Sequence, residues 1–170
     1  LARHFEDSGI PEVLPKLLPE GWKGGFLMLV MVFVLSSFLD NIAAALIGGA
    51  MAHQLFKARV HIGYLAAIVA ASNAGGAGSV VGDTTTTMMW IDGVSPLDVI
   101  EAYLPASVAV VVFGIPAALA QHKHMAISRD FQAAHRIDWA RVGIVLFILI
   151  AAIITNVTVN LKFTAMADHF

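Results

Sequence analysis

The sequence predicts an all-α integral membrane protein with a re-entrant helical hairpin, a broken transmembrane helix and two further transmembrane helices. Three observations predict it. The 170 residues are 58% hydrophobic and only 13% charged, with a mean hydropathy of +0.79; a soluble domain is about half apolar and a quarter charged. The apolar runs are long enough to enter or cross a bilayer. One run is interrupted at residues 72–90, SNAGGAGSVVGDTTTTMMW, where glycines, an Asn, an Asp and four consecutive threonines stand amid apolar sequence. Unpaired backbone groups cannot face lipid, so irregular polar backbone at membrane depth is either buried in protein or lines a wet cavity.

Residues 1–23 are polar and punctuated by Pro11, Pro15 and Pro19, which suits an interfacial or cytoplasmic lead-in. The hairpin is expected over 24–56. Its apolar runs, 26–39 and 42–56, are separated by Asp40-Asn41. Together they are too long for one span of about 20 residues and too short for two, about 40, so the chain is expected to turn near mid-membrane. Gly48-Gly49 would let the second arm pack closely. A discontinuous helix follows over 62–91, broken by the polar run. The next span is 102–120, softened by Pro105, Gly114 and Pro116. A basic cytoplasmic loop over 121–141 leads to the last span, 142–161.

Charge supports this layout. Lys16 and Lys23 precede the hairpin, Lys57, Arg59 and His61 follow it, and Lys123, Arg129, Arg136 and Arg141 fill the later loop. A hairpin puts all of these on one side, as the positive-inside rule asks, and leaves only Lys162 outside. A reading with two full spans would move Lys16 and Lys23 to the wrong side. The absence of cysteine excludes disulfides and thiolate metal sites. No basic face interleaved with aromatics suggests nucleic acid, and no nucleophile–base pair or phosphate loop suggests an enzyme. The chain starts at Leu1 with no signal peptide, and is expected to be a piece of a longer protein.

Asp40 and Asp83 are the acidic residues inside apolar spans, and the spans hold no Lys or Arg to neutralise them. An ionisable group at that depth costs at least about 2.5–3.5 kcal/mol on insertion scales and marks an ion pathway or proton relay. Burial favours the protonated form of any carboxylate, so protons and cations would compete for such a site. Asp83 also stands where it could cap a helix beginning at Thr84. The four threonines offer hydroxyls. Some are expected to bond back into their own helix, while others, with Asn41 and Asn73, can present oxygen to a small hard cation. Gly75, Gly76, Gly78 and Gly82 permit unwinding. His122, His124 and His135 fall in the basic loop without a set of partners that would complete a metal site. Asn156, Thr158 and Asn160 are expected to make interhelical hydrogen bonds.

FLDNIAAALIGGAMA at 38–52, followed by NAGGAGSVVGDTTTTMMWI at 73–91, resembles the NhaD-type sodium/proton antiporters of the ion transporter superfamily, which includes arsenite permeases and citrate transporters. The resemblance covers roughly residues 24–121. It departs at Gly78-Ser79-Val80-Val81, where the antiporters carry a Trp-Ser-Pro-Ile-like segment, and this bears on substrate more than on fold. The resemblance implies two inverted repeats, each with a hairpin and a broken helix whose tips meet at the substrate. It also implies a homodimer, an elevator-like motion and, for a bacterial member, multi-pass placement in the inner membrane. On it, Asp40, Asn41, Asn73, Asp83, Thr84, Thr85 and Thr86 form the ion or substrate site, with no cofactor beyond the transported Na⁺ or H⁺. The second repeat is missing here. Cation/proton exchange is the leading expectation, and coupled carriage of citrate or arsenite the alternative.

Overall fold

A computed structural model describes residues 8–9, 18–80, 82–127 and 138–167. Most of the lead-in, with Lys16, and Arg129, His135 and Arg136 of the basic loop lie outside the described residues. The described residues form helices joined by turns, with no strand among them. They are α1 (Trp22–Ser36), α2 (Asn41–Leu55), α3 (Ile62–Gly76), α4 (Thr84–Ile91), α5 (Pro96–Ile100), α6 (Tyr103–His124) and α7 (Trp139–Ala167).

The apolar run over 26–56 breaks where Ser36-Ser37 and Asp40-Asn41 weaken helical propensity. Its two arms then fold back on each other. A Cβ at Gly48 would lie 2.6 Å from Val32 of α1 and 2.8 Å from Ile68 of α3, so the glycine sets how closely three helices approach. Asn41 meets Asn73 at one end of α2 and Phe56 meets Tyr64 just past the other, which makes α2 and α3 antiparallel. Tyr64 donates to Gly25 O at 2.5 Å, while Ser36 donates to Ser72 O, so α1 and α3 run parallel and end side by side. α6 runs back along them, with Gly114 against Phe26 and Leu29 and Tyr103 edge-on to Phe33 at 5.9 Å. The core lies between these helices, around Met28, Val32, Ile47, Met51, Tyr64 and Ile68. α7 contributes the buried Val145.

Local chemistry sets the helix ends. His61 Nδ1 accepts from Gly63 N at 3.1 Å to start α3. Ser95 accepts from Leu97 N ahead of Pro96, starting α5, a short helix that the sequence reading does not include. Pro105 falls in the first turn of α6, where its missing N–H costs nothing, whereas Pro116 removes one bond inside that helix. α6 continues past residue 120, the expected end of the span, to His124, so His122 and His124 sit in a last helical turn that favours cations.

The helices differ in reach. α1, α2 and α3 have 15 residues each, about 22 Å at 1.5 Å per residue. A hydrocarbon core is about 30 Å thick. By length and composition, Pro96–His124 is long and apolar enough to cross a membrane, whereas Trp22–Ser36, Ile62–Gly76 and Trp139–Ile148 are apolar but shorter.

The basic residues gather at one end. There the buried Gln121 accepts from His61 N at 2.7 Å and donates to Arg59 O at 3.1 Å and Met125 O at 3.2 Å. It ties the loop after α2 to the end of α6, and the rings of His61 and His124 meet edge-on at 5.6 Å. Thr158 departs from expectation. Its hydroxyl bonds to Ile154 O of its own helix at 2.7 Å, because a carbonyl one turn back is always in reach. The side chains of Asn156 and Asn160 lie outside the described ones.

Packing at the glycines yields a test. A Cβ at Gly75 would run into Phe33 O, whereas one at Gly49 would meet nothing within 4 Å. Gly75→Ala should lower the stability of the full-length protein by about 1–3 kcal/mol. Gly49→Ala should be neutral or slightly stabilising, as removal of a helical glycine is worth about 0.5–1 kcal/mol. Thermal unfolding of both variants in detergent reads the difference.

Candidate functional site

The opposite end of the bundle holds the turn between α1 and α2, at residues 37–40, and the break between α3 and α4, at 77–83. The break is narrower than the sequence suggests, because α3 stays helical through Asn73, Gly75 and Gly76. Those glycines serve close approach: Gly75 lies on the Phe33 carbonyl, and a Cβ at Gly76 would sit 3.1 Å from Asp83 Cβ.

Asn41, the first residue of α2, donates from Nδ2 to Asn73 Oδ1 at 2.9 Å. Asn73 is itself anchored by donating to Val69 O at 2.9 Å, one turn back in α3. The turn and the broken helix are therefore joined side chain to side chain. Asp40 precedes α2 as its N-cap residue, yet its carboxylate makes no capping hydrogen bond and is exposed. Asp83 does cap: Oδ1 accepts from Thr85 N at 2.8 Å, while Oδ2 lies on the side facing Gly76. No hydrogen bond links Asp40 with Asp83 among the described residues.

The threonines divide by helical face. Thr86 is buried and donates to Ser79 O at 2.5 Å and Asp83 O at 2.9 Å. Thr87 donates to Val80 O at 2.6 Å and Asp83 O at 2.9 Å. These two close the break over the start of α4. Thr84 and Thr85 are exposed beside Asp83. One end of the bundle thus presents two carboxylates, two amides and two exposed hydroxyls, an oxygen-rich set suited to a hard cation. Among the described residues no group of three or more His, Asp or Glu could hold a resident metal ion.

Sequence reasoning passed over the serines. Ser37 donates to Gly75 O at 3.1 Å, Ser79 donates to Ser37 O at 2.5 Å, and Gly82 N donates to Ser79 Oγ at 3.0 Å. The available signal was Ser36-Ser37 standing just ahead of Asp40 in an otherwise apolar run.

Residues 5–167 match the citrate transporter family. The chain belongs to that family. It is a transporter-family membrane protein, related to sodium/proton antiporters. Sodium/proton antiporter 2 of Arabidopsis thaliana is 38% identical over 101 residues, 58% of this chain and 23% of that protein. Sodium/proton antiporter 1 of the same plant is 37% identical over 94 residues, 54% of this chain and 16% of that protein. The chain thus spans less than a quarter of the length of these relatives. No solved structure matches it.

Capping and charge at Asp83 can be separated. Asn keeps the side-chain oxygen that caps α4, whereas Ala removes it. Asp83→Ala should cost about 0.5–2 kcal/mol of stability and Asp83→Asn a few tenths at most. Denaturation midpoints of the two variants, measured side by side, check this.

Proposed function

We propose that this citrate transporter family chain is one repeat of a secondary active transporter that exchanges Na⁺ or Li⁺ for protons through Asp40 and Asp83. One observation carries the reading: the turn after α1 and the break after α3 lie at the same end of the bundle, opposite the basic loops. With the basic end at one membrane surface, helices of about 22 Å would leave that turn and break short of the far side of a core about 30 Å thick. Residues 24–56 then form a re-entrant hairpin, and both carboxylates stand at membrane depth.

The chemistry of exchange follows from sharing one group. A carboxyl holding a proton cannot offer that oxygen fully to a cation, and a carboxylate holding a cation excludes the proton. Competition for the same oxygens makes each ion's release a condition of the other's binding. Asn41, Asn73, Thr84 and Thr85 add neutral oxygen ligands that replace part of the ion's hydration; Thr86 supports the site from beneath. The printed names of the two plant relatives favour this reading. The second repeat, absent from this chain, would complete the site, within a dimer if the resemblance extends to assembly.

The alternative is a coupled carrier of citrate or a similar anion, and one observation favours it. No side chain caps the first amides of α2, and uncapped amides at a helix N-terminus suit a carboxylate. The Asp residues would then hold the coupling ion. The test uses the full-length protein in proteoliposomes with an imposed pH gradient and an internal pH dye. Na⁺ or Li⁺ alone should dissipate the gradient, K⁺ should not, and Asp83→Asn or Asp40→Asn should abolish the response. Silence to cations with a response to citrate would assign the chain to the anion carriers.

A further inference from the structure

We propose that Ser37 and Ser79 are positioning residues that latch the hairpin turn to the helix break, so that the two halves of the ion site move as one rigid unit. The inference deepens the transport reading above and rests on it for its functional consequence; the latch itself rests on geometry alone.

α1 and α3 run parallel and end next to each other. Each therefore leaves its last carbonyls without helical partners at the same place. The two ends satisfy each other. Ser36 donates to Ser72 O at 2.5 Å, and Ser37 donates to Gly75 O at 3.1 Å, so α1 supplies hydrogens to the end of α3. Ser79, in the break beyond α3, returns one to Ser37 O at 2.5 Å. Its oxygen accepts from Gly82 N at 3.0 Å, and its carbonyl accepts from the buried Thr86 at 2.5 Å. The chain of bonds thus runs from the hairpin turn through Ser79 into the first turn of α4, whose cap is Asp83. A Cβ at Gly82 would collide with Ser36 O, so the two backbones are already at closest approach there.

Neither serine is a ligand in this scheme. Both hydroxyls donate to backbone carbonyls of the facing element, Ser79 to Ser37 O and Ser37 to Gly75 O, the latter shared with the longer contact to Phe33 O of its own helix at 3.3 Å. The side-chain bond from Asn41 to Asn73 across the site is exposed and open to competition from water or a hydrated ion. Without Ser37 and Ser79, that bond and the Ser36–Ser72 hydrogen bond are left as the polar ties between the two ends. Breaking either serine bond should therefore unlatch the same unit, and breaking both should do little more.

The experiment has two arms on the full-length protein, using Ser37→Ala, Ser79→Ala, the double variant and the hydroxyl-retaining Ser37→Thr. In the first arm, spin labels at Phe38→Cys and Met88→Cys, in a background without other cysteines, report the distance across the latch. Each Ala variant should broaden the distance distribution and Ser37→Thr should not. An unchanged distribution in both Ala variants overturns the latch, whether or not the protein transports anything. In the second arm, cation-driven dissipation of a pH gradient is measured across cation concentrations. Each Ala variant should raise KM about tenfold, the scale of one lost hydrogen bond, with Vmax little changed and the double variant no worse than either. Additive losses, or a fall in Vmax and yield with KM unchanged, would mean that the serines are merely structural. If the unsubstituted protein exchanges no cation, the transport reading fails, and the spectroscopic arm still decides the latch.

Discussion

Everything at the site end depends on how two helices can stop side by side in close contact. A helix leaves four carbonyls unpaired at its C-terminus, and in a bilayer no solvent takes them. Here α1 and α3 end together, and serines from each, or from the chain just beyond, donate to the other. The glycines follow from the same constraint. Gly75 and Gly82 lie against carbonyls of α1, where any side chain would force the ends apart and open the bonds. The close approach and the hydrogen bonds are one requirement met by two residue types.

That arrangement fixes what the polar residues of the break are free to do. Thr86 and Thr87 face inward and donate to the backbone, which leaves Thr84 and Thr85 exposed beside the half-buried Asp83. Asp40 is left uncapped at the start of α2 while Asp83 is engaged at the start of α4. The two carboxylates are therefore inequivalent: one already accepts a backbone hydrogen bond, and the other accepts none in its own helix turn. In the proposed transporter this separates their roles without any difference in residue type.

Parts of this were legible in the sequence because they break a strong pattern. Asp40-Asn41 and the polar run after Ala71 stand out in apolar surroundings, and the turn and the break fall on or beside them. The Asn41–Asn73 bond joins two residues that the motif pairs by chemistry. What stayed hidden depends on direction and distance. Ser37 and Ser79 look like ordinary small polar residues until α1 and α3 are known to be parallel. Gln121 likewise reads as the first residue of a polar loop, yet it is buried and clamps Arg59 and His61 from sixty residues away in sequence. The glycine run suggests unwinding from Ser72 onward, but Gly75 and Gly76 remain helical because their missing side chains serve packing instead of flexibility.

The 15-residue arms also bear on how such a chain is made. An arm of that length is short of the roughly 20 apolar residues by which a nascent segment partitions into lipid as a complete span. Neither α1 nor α2 satisfies that rule alone, and the partners that bury them, α3 and α6, emerge from the ribosome later. Strictly sequential insertion, one finished span at a time, does not suit this order. In the proposed re-entrant arrangement the hairpin would gain its full set of partners only once α6 had emerged, which would make its insertion a delayed, cooperative step.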